Sequence, residues 1–89
     1  MKAILSVIGK DRVGIMALVC NVCAKRNANI LDISQTVMSE CFTMIMLLDV
    51  SDLSSSFKEF KEEMAELGKN HGLEIAVHRE EIFRACNRI

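Results

Sequence analysis

Residues that could do chemistry fall at a few places in this 89-residue chain. The first is the run Asp11-Arg12-Val13-Gly14-Ile15, with Asn29 further on. Here a carboxylate could pair with an ammonium group, and a guanidinium could reach a carboxylate or phosphate. The glycine would let a ligand approach the backbone, and the carboxamide of Asn29 offers both a donor and an acceptor. Each also has a plain structural use. Asp11 is a good helix cap, Gly14 could serve close packing, Asn29 could close a helix in the left-handed region, and Arg12 could simply be solvated. The second place is Cys20-Asn21-Val22-Cys23, whose spacing matches a redox or metal pair. The third is His71 and His78, neither of which has a Ser, Cys or carboxylate partner evident in the sequence.

The elements that must position these residues follow from periodicity. Ala3 to Ile8 is a short run with β-branched residues, read as a first strand and broken at Gly9-Lys10-Asp11-Arg12. From Val13 to Ala28, Ile15, Val19, Val22 and Cys23 share one helical face, with Asn21 and Lys25 roughly opposite. Asp11 is expected to cap this helix, and Gly14 falls in its first turn. Cys20 and Cys23 lie about two turns inside it, away from the terminus where a thiol's pKa would be lowered, so they read as core. Asn27-Ala28-Asn29 ends the helix.

From Ile30 to Ser39 the alternation of Leu31, Ile33 and Val37 with Asp32, Ser34 and Thr36 marks a half-buried strand. After a short turn, Phe42 to Val50 is nearly continuous in apolar residues, as in a central strand covered at least partly on both faces. Ser56 and Glu59 fit a capping box, and Phe57, Phe60, Met64, Leu67 and His71 follow at helical spacing until Gly72. Lys58-Glu59 and Lys61-Glu62-Glu63 form its solvated face. Leu73 to His78 alternates as a last strand, and Ile82, Phe83, Cys86 and Ile89 predict a short C-terminal helix over 80–89. The order is β-α-β-β-α-β in a single domain spanning 1–89. It predicts an α+β, ferredoxin-like fold, with a four-stranded antiparallel sheet and two helices on one face.

Composition narrows the function classes. Apolar residues make up 51% and charged residues 26%, and a net charge of −1 gives no grip on nucleic acid or an anionic membrane. The N-terminal run lacks the features of a signal peptide, and no stretch approaches the roughly 20 apolar residues of a membrane span. A cytoplasmic address and reduced thiols at all four cysteines are expected. An RNA-binding module of this topology would present aromatic residues on its central strands, where only Phe42 occurs. An acylphosphatase-like enzyme would need an Arg cradle and an Asn to position water. Arg12 exists, but Phe42 to Leu48 contains no Asn. No catalytic residue, metal or cofactor is expected.

The run Gly9-Lys10-Asp11-Arg12-Val13-Gly14-Ile15, followed at the right distance by Asn29-Ile30-Leu31, resembles the ACT domain family along the whole chain. Asp32 to Thr36 and the end Glu81-Ile82-Phe83 with Asn87-Arg88-Ile89 further resemble bacterial and archaeal proteins that consist of one ACT domain. The resemblance implies a regulatory module binding an amino acid or related metabolite between two copies. The ligand would lie between the first loop of one copy (Asp11, Arg12, Val13, Gly14, Ile15) and the second strand of the other (Asn29, Ile30). Many amino-acid-binding members carry Asn where this chain has Asp11 and Pro where it has Val13. A homodimer acting on a separate protein target is implied. The alternative is a ligand-free interaction module, for which faces such as Ile4 with Ile8 and Ile45 with Leu47 would supply apolar surface.

Overall fold

The computed structural model describes residues 1–81. Its elements are β1 (Lys2–Lys10), α1 (Ile15–Lys25), β2 (Asn29–Met38), β3 (Cys41–Asp49), α2 (Phe57–Asn70) and β4 (Leu73–Arg79). The four strands form one antiparallel sheet in the order β2-β3-β1-β4, so β2 and β4 are its edges. This is the expected ferredoxin-like arrangement. Glu80 and Glu81 are helical, and the rest of the helix expected over 80–89 lies outside the described residues.

Alternation along the strands builds the core. Ala3, Leu5 and Val7 of β1, Phe42, Met44, Met46 and Leu48 of β3, and Leu73, Ile75 and Val77 of β4 all turn to the helix side. Ile15, Val19 and Cys23 of α1 and Phe60 and Met64 of α2 meet them there. The opposite face of the sheet is bare among the described residues. β3 is therefore central but covered on one side only, leaving Ile45 and, on β1, Ile8 exposed.

Two local details differ from the sequence pattern. Asp11 does not cap α1. The N-cap is Gly14, whose φ of +95° belongs to the left-handed half of backbone space, and no side chain bonds to the helix start. A side chain at position 14 would meet nothing within 4 Å, so the glycine is required by the backbone turn and not by crowding within the chain. The left-handed residue after α1 is Asn27, with φ of 63°, and Asn29 already belongs to β2.

The second departure is in β2. A bulge between Ile30 and Asp32 adds a residue, shifting the alternation by one at Leu31. Ile30 and Ile33 consequently pack on the core, while Leu31 is 44% exposed. Val37 stands opposite Phe42 yet stays 54% exposed, because β2 is an edge strand with no neighbour on its outer side.

α2 follows its sequence closely. Ser56 and Glu59 form the full capping box, and Gly72 turns the chain at φ of 69°. His71 leaves the apolar stripe at the helix end. Its Nδ1 lies 2.8 Å from the Leu67 carbonyl and the residue is exposed. The supposedly solvated face carries one tether, since Glu63 accepts two bonds from Arg26 at 2.6 and 3.3 Å, tying the end of α1 to α2.

Candidate functional site

The loop between β1 and α1 is held at its first two residues. The Asp11 amide donates to the Glu40 carbonyl at 2.8 Å, fixing the loop to the β2–β3 turn. One residue on, Arg12 Nη2 reaches the His71 carbonyl at 3.5 Å, a long contact to the end of α2. Val13 is 99% exposed and stands free of the surface. Gly14 then opens the helix, its carbonyl accepting from Leu18 at 3.0 Å. The side chain of Ile15 is buried and anchors the helix start in the core, so at this position only the backbone belongs to the loop's open end.

The chemical consequence lies in α1's first turn. A helix leaves its first amides without intrahelical acceptors and carries a partial positive charge there. No side-chain cap and no acidic residue answer that charge in α1. Such an end is ready to receive a carboxylate. Asp11, exposed just upstream, supplies the opposite charge for an ammonium group.

Asn29 and Ile30 are elsewhere. Asn29 stands opposite Asp49, whereas the strand end leading into the loop, Lys10, stands opposite Cys41. Along β3 the two positions are about 26 Å apart, at roughly 3.3 Å per residue. Within one chain the structure thus brings Asp11, Arg12, Val13 and Gly14 together, and it separates them from Asn29.

Asn29 lines a polar hollow of about 300 Å³ with Ala24, Asn27, Ala28, Asp49 and Asp52. Its carboxamide has no partner among the described residues. Asp49 and Asp52 are neighbours that periodicity did not single out, although both are acids close behind an apolar strand. The Asp49 carboxyl is held below its ordinary range by hydrogen bonds from Ser51. Asn27 is already spent on structure, its Nδ2 donating to the Asp52 carbonyl at 2.9 Å.

The cysteine pair lies where the helical pattern puts it. Cys23 is in the core and Cys20 half-buried. Burial, and secondarily Cys20 nearby, pushes the Cys23 thiol up to about 12, which makes it a poor nucleophile and a poor ligand at neutral pH.

The family model of the ACT domain matches residues 2–78. The chain belongs to the ACT domain family. A UPF0237 protein of Clostridium acetobutylicum is 53% identical over 89 residues, covering both chains completely. One from Methanocaldococcus jannaschii is 46% identical over 88 residues, covering 99% of this chain and 98% of its own. Among solved structures, an ACT domain protein from Streptococcus pneumoniae superposes with a TM-score of 0.81 at 40% identity, covering 93% of each chain. The regulatory subunit of aspartate kinase from Thermus thermophilus shares the fold at a TM-score of 0.65 and 23% identity, over 86% of this chain and half of its own. ACT domains are regulatory ligand-binding modules. No helix among the described residues of this one is long and apolar enough to cross a membrane.

Proposed function

We propose that this ACT domain senses an amino acid or related metabolite bound between two copies of the chain, without turning it over, and passes the signal to a separate protein in the cytoplasm. The observation that carries the reading is the separation of the loop from Asn29. One small ligand cannot reach both ends of the same sheet, but a two-fold axis can supply one end from each copy.

The edge strand β2 makes that axis reasonable. Two-fold pairing along β2 runs the strands antiparallel, bringing the partner's start of β2 toward this chain's Met38 end. Met38 stands opposite Cys41, at the same end of the sheet as the loop. Met38 is 70% exposed and its neighbour Val37 is 54% exposed, so a second copy has apolar surface to cover. The ligand's carboxylate then meets the open start of α1, its ammonium meets Asp11, and the partner's Asn29 closes the site.

A thermal-shift screen of the purified chain against amino acids and related metabolites tests this. A ligand at 100 times its dissociation constant stabilises the fold by about 2.7 kcal/mol. Asp11→Ala and Asn29→Ala are each expected to abolish the response. Mixing the two variants is expected to restore it in part, because a mixed dimer keeps one site with both residues intact. Failure of mixing to restore any response would show that the site is not shared between copies.

A second reading, the ligand-free interaction module, is favoured by one specific observation. The open sheet face exposes Ile8 and Ile45 with nothing over them among the described residues. Silence across the whole metabolite panel, with the dimer intact, would favour it.

A further inference from the structure

The other edge of the sheet carries a feature the amino-acid site does not use. Arg79 ends β4 and Phe57 begins α2, and between them lies a hollow of about 530 Å³ lined by Phe57, Lys58, Lys61, Glu62, His78 and Arg79. Two cations converge on one ring there. Lys61 Nζ is 5.9 Å and Arg79 Cζ is 6.0 Å from the centre of Phe57.

Among the described residues neither Lys58, Lys61 nor Arg79 forms an ion pair, in contrast to Arg26, which Glu63 neutralises at 2.6 Å. Glu62 is the one carboxylate lining the hollow, against three cations, so the site is net positive. We infer that this hollow binds a phosphorylated small molecule, with Lys58, Lys61 and Arg79 holding the phosphate and Phe57 forming an apolar wall. A planar guanidinium matches phosphate oxygens two at a time, while lysines act as movable point charges. The lysine stems and the half-buried ring supply apolar surface beside the charge. The volume falls in the range of small-molecule sites and exceeds what a bare phosphate fills. Because β4 and β2 are opposite edges of the sheet, a meeting of two copies along β2 does not cover the hollow.

The test is an NMR titration of the full chain with phenyl phosphate and, separately, inorganic phosphate. Saturable shifts confined to the amides of Phe57, Lys58, Lys61 and Arg79 are expected, with phenyl phosphate binding the tighter of the two. Lys61→Gln and Arg79→Gln should each weaken binding about tenfold, the loss of one charged hydrogen bond. Lys58→Gln repeats the test at an exposed residue that touches no ring, should either of the others disturb the fold. Shifts that grow without saturation at lysines all over the surface would overturn the proposal. So would glutamine variants that bind as the natural chain does.

Discussion

The two helices begin in opposite ways. At the start of α2, Ser56 Oγ accepts from the Glu59 amide at 3.0 Å and Glu59 Oε1 accepts from the Ser56 amide at 3.1 Å. At the start of α1 stands Gly14, with no side chain to offer and no acid in the turn beyond it. One helix end is closed by its own residues and the other is left open. α1 tolerates this because Ile15, Val19 and Cys23 fix it to the sheet, so its place does not depend on its cap. The first amides of α2 are spent on its own cap, and those of α1 are left without one.

α2 is also fastened further along, and breaking that contact should have the largest effect. A Cβ added at Gly68 would stand 2.6 Å from the Leu73 carbonyl oxygen and 2.9 Å from Ile75 Cγ1. Backbone cannot swing aside, so Gly68→Ala should cost about 3 kcal/mol in denaturant unfolding, the upper end of overpacking effects. Gly14→Ala should cost less, about 1–2 kcal/mol, all of it from the positive φ. Gly14→Asn sharpens the comparison. Asn tolerates that backbone and brings a capping side chain, so stability should be largely kept while the metabolite response falls.

The smaller effects set cap against cap. Ser56→Ala should lose about 1 kcal/mol. Asp11→Ala should change stability by less than about 0.5 kcal/mol, because Asp11 caps nothing. Equal losses in the two variants would mean that α1 is closed after all. Acid titration gives the finest test. Hydrogen bonds from Ser56, backbone first, lower the Glu59 pKa below its ordinary 4.5. A carboxyl so lowered adds stability that is fully present above 4.5 and is lost as pH falls through the lowered value. Glu59→Gln should therefore flatten the stability profile just below pH 4.5, while Asp49, lowered by Ser51, keeps its own share.

Much of the fold was legible in the sequence, for reasons visible in particular residues. Phe60 and Met64 are buried where helical spacing puts them, and Leu73, Ile75 and Val77 where strand alternation does. The Ser56–Glu59 box was legible because a cap is a local contact. Asp11 misled because its type suits a cap, while the helix begins later, at a glycine whose turn depends on φ and not on side-chain chemistry. Leu31 and Val37 misled because a bulge and an edge are properties of pairing, which one strand's pattern does not contain. The candidate site was legible residue by residue but not in its layout. Only the topology shows that Asp11 and Asn29 stand at opposite ends of one sheet, or that Asp49 and Asp52 border Asn29.

The bulge at Leu31 has a consequence for solubility as well. An exposed edge with hydrophobic residues such as Val37 is a template on which strands from other molecules could stack without limit, the first step toward aggregates. The extra residue interrupts the regular row of donors and acceptors after Ile30, leaving an even ladder only from Asp32 to Met38. At the other edge, β4 puts Glu74, His78 and Arg79 in solvent. One edge is kinked and the other charged, and both features work against strand pairing that runs on from molecule to molecule.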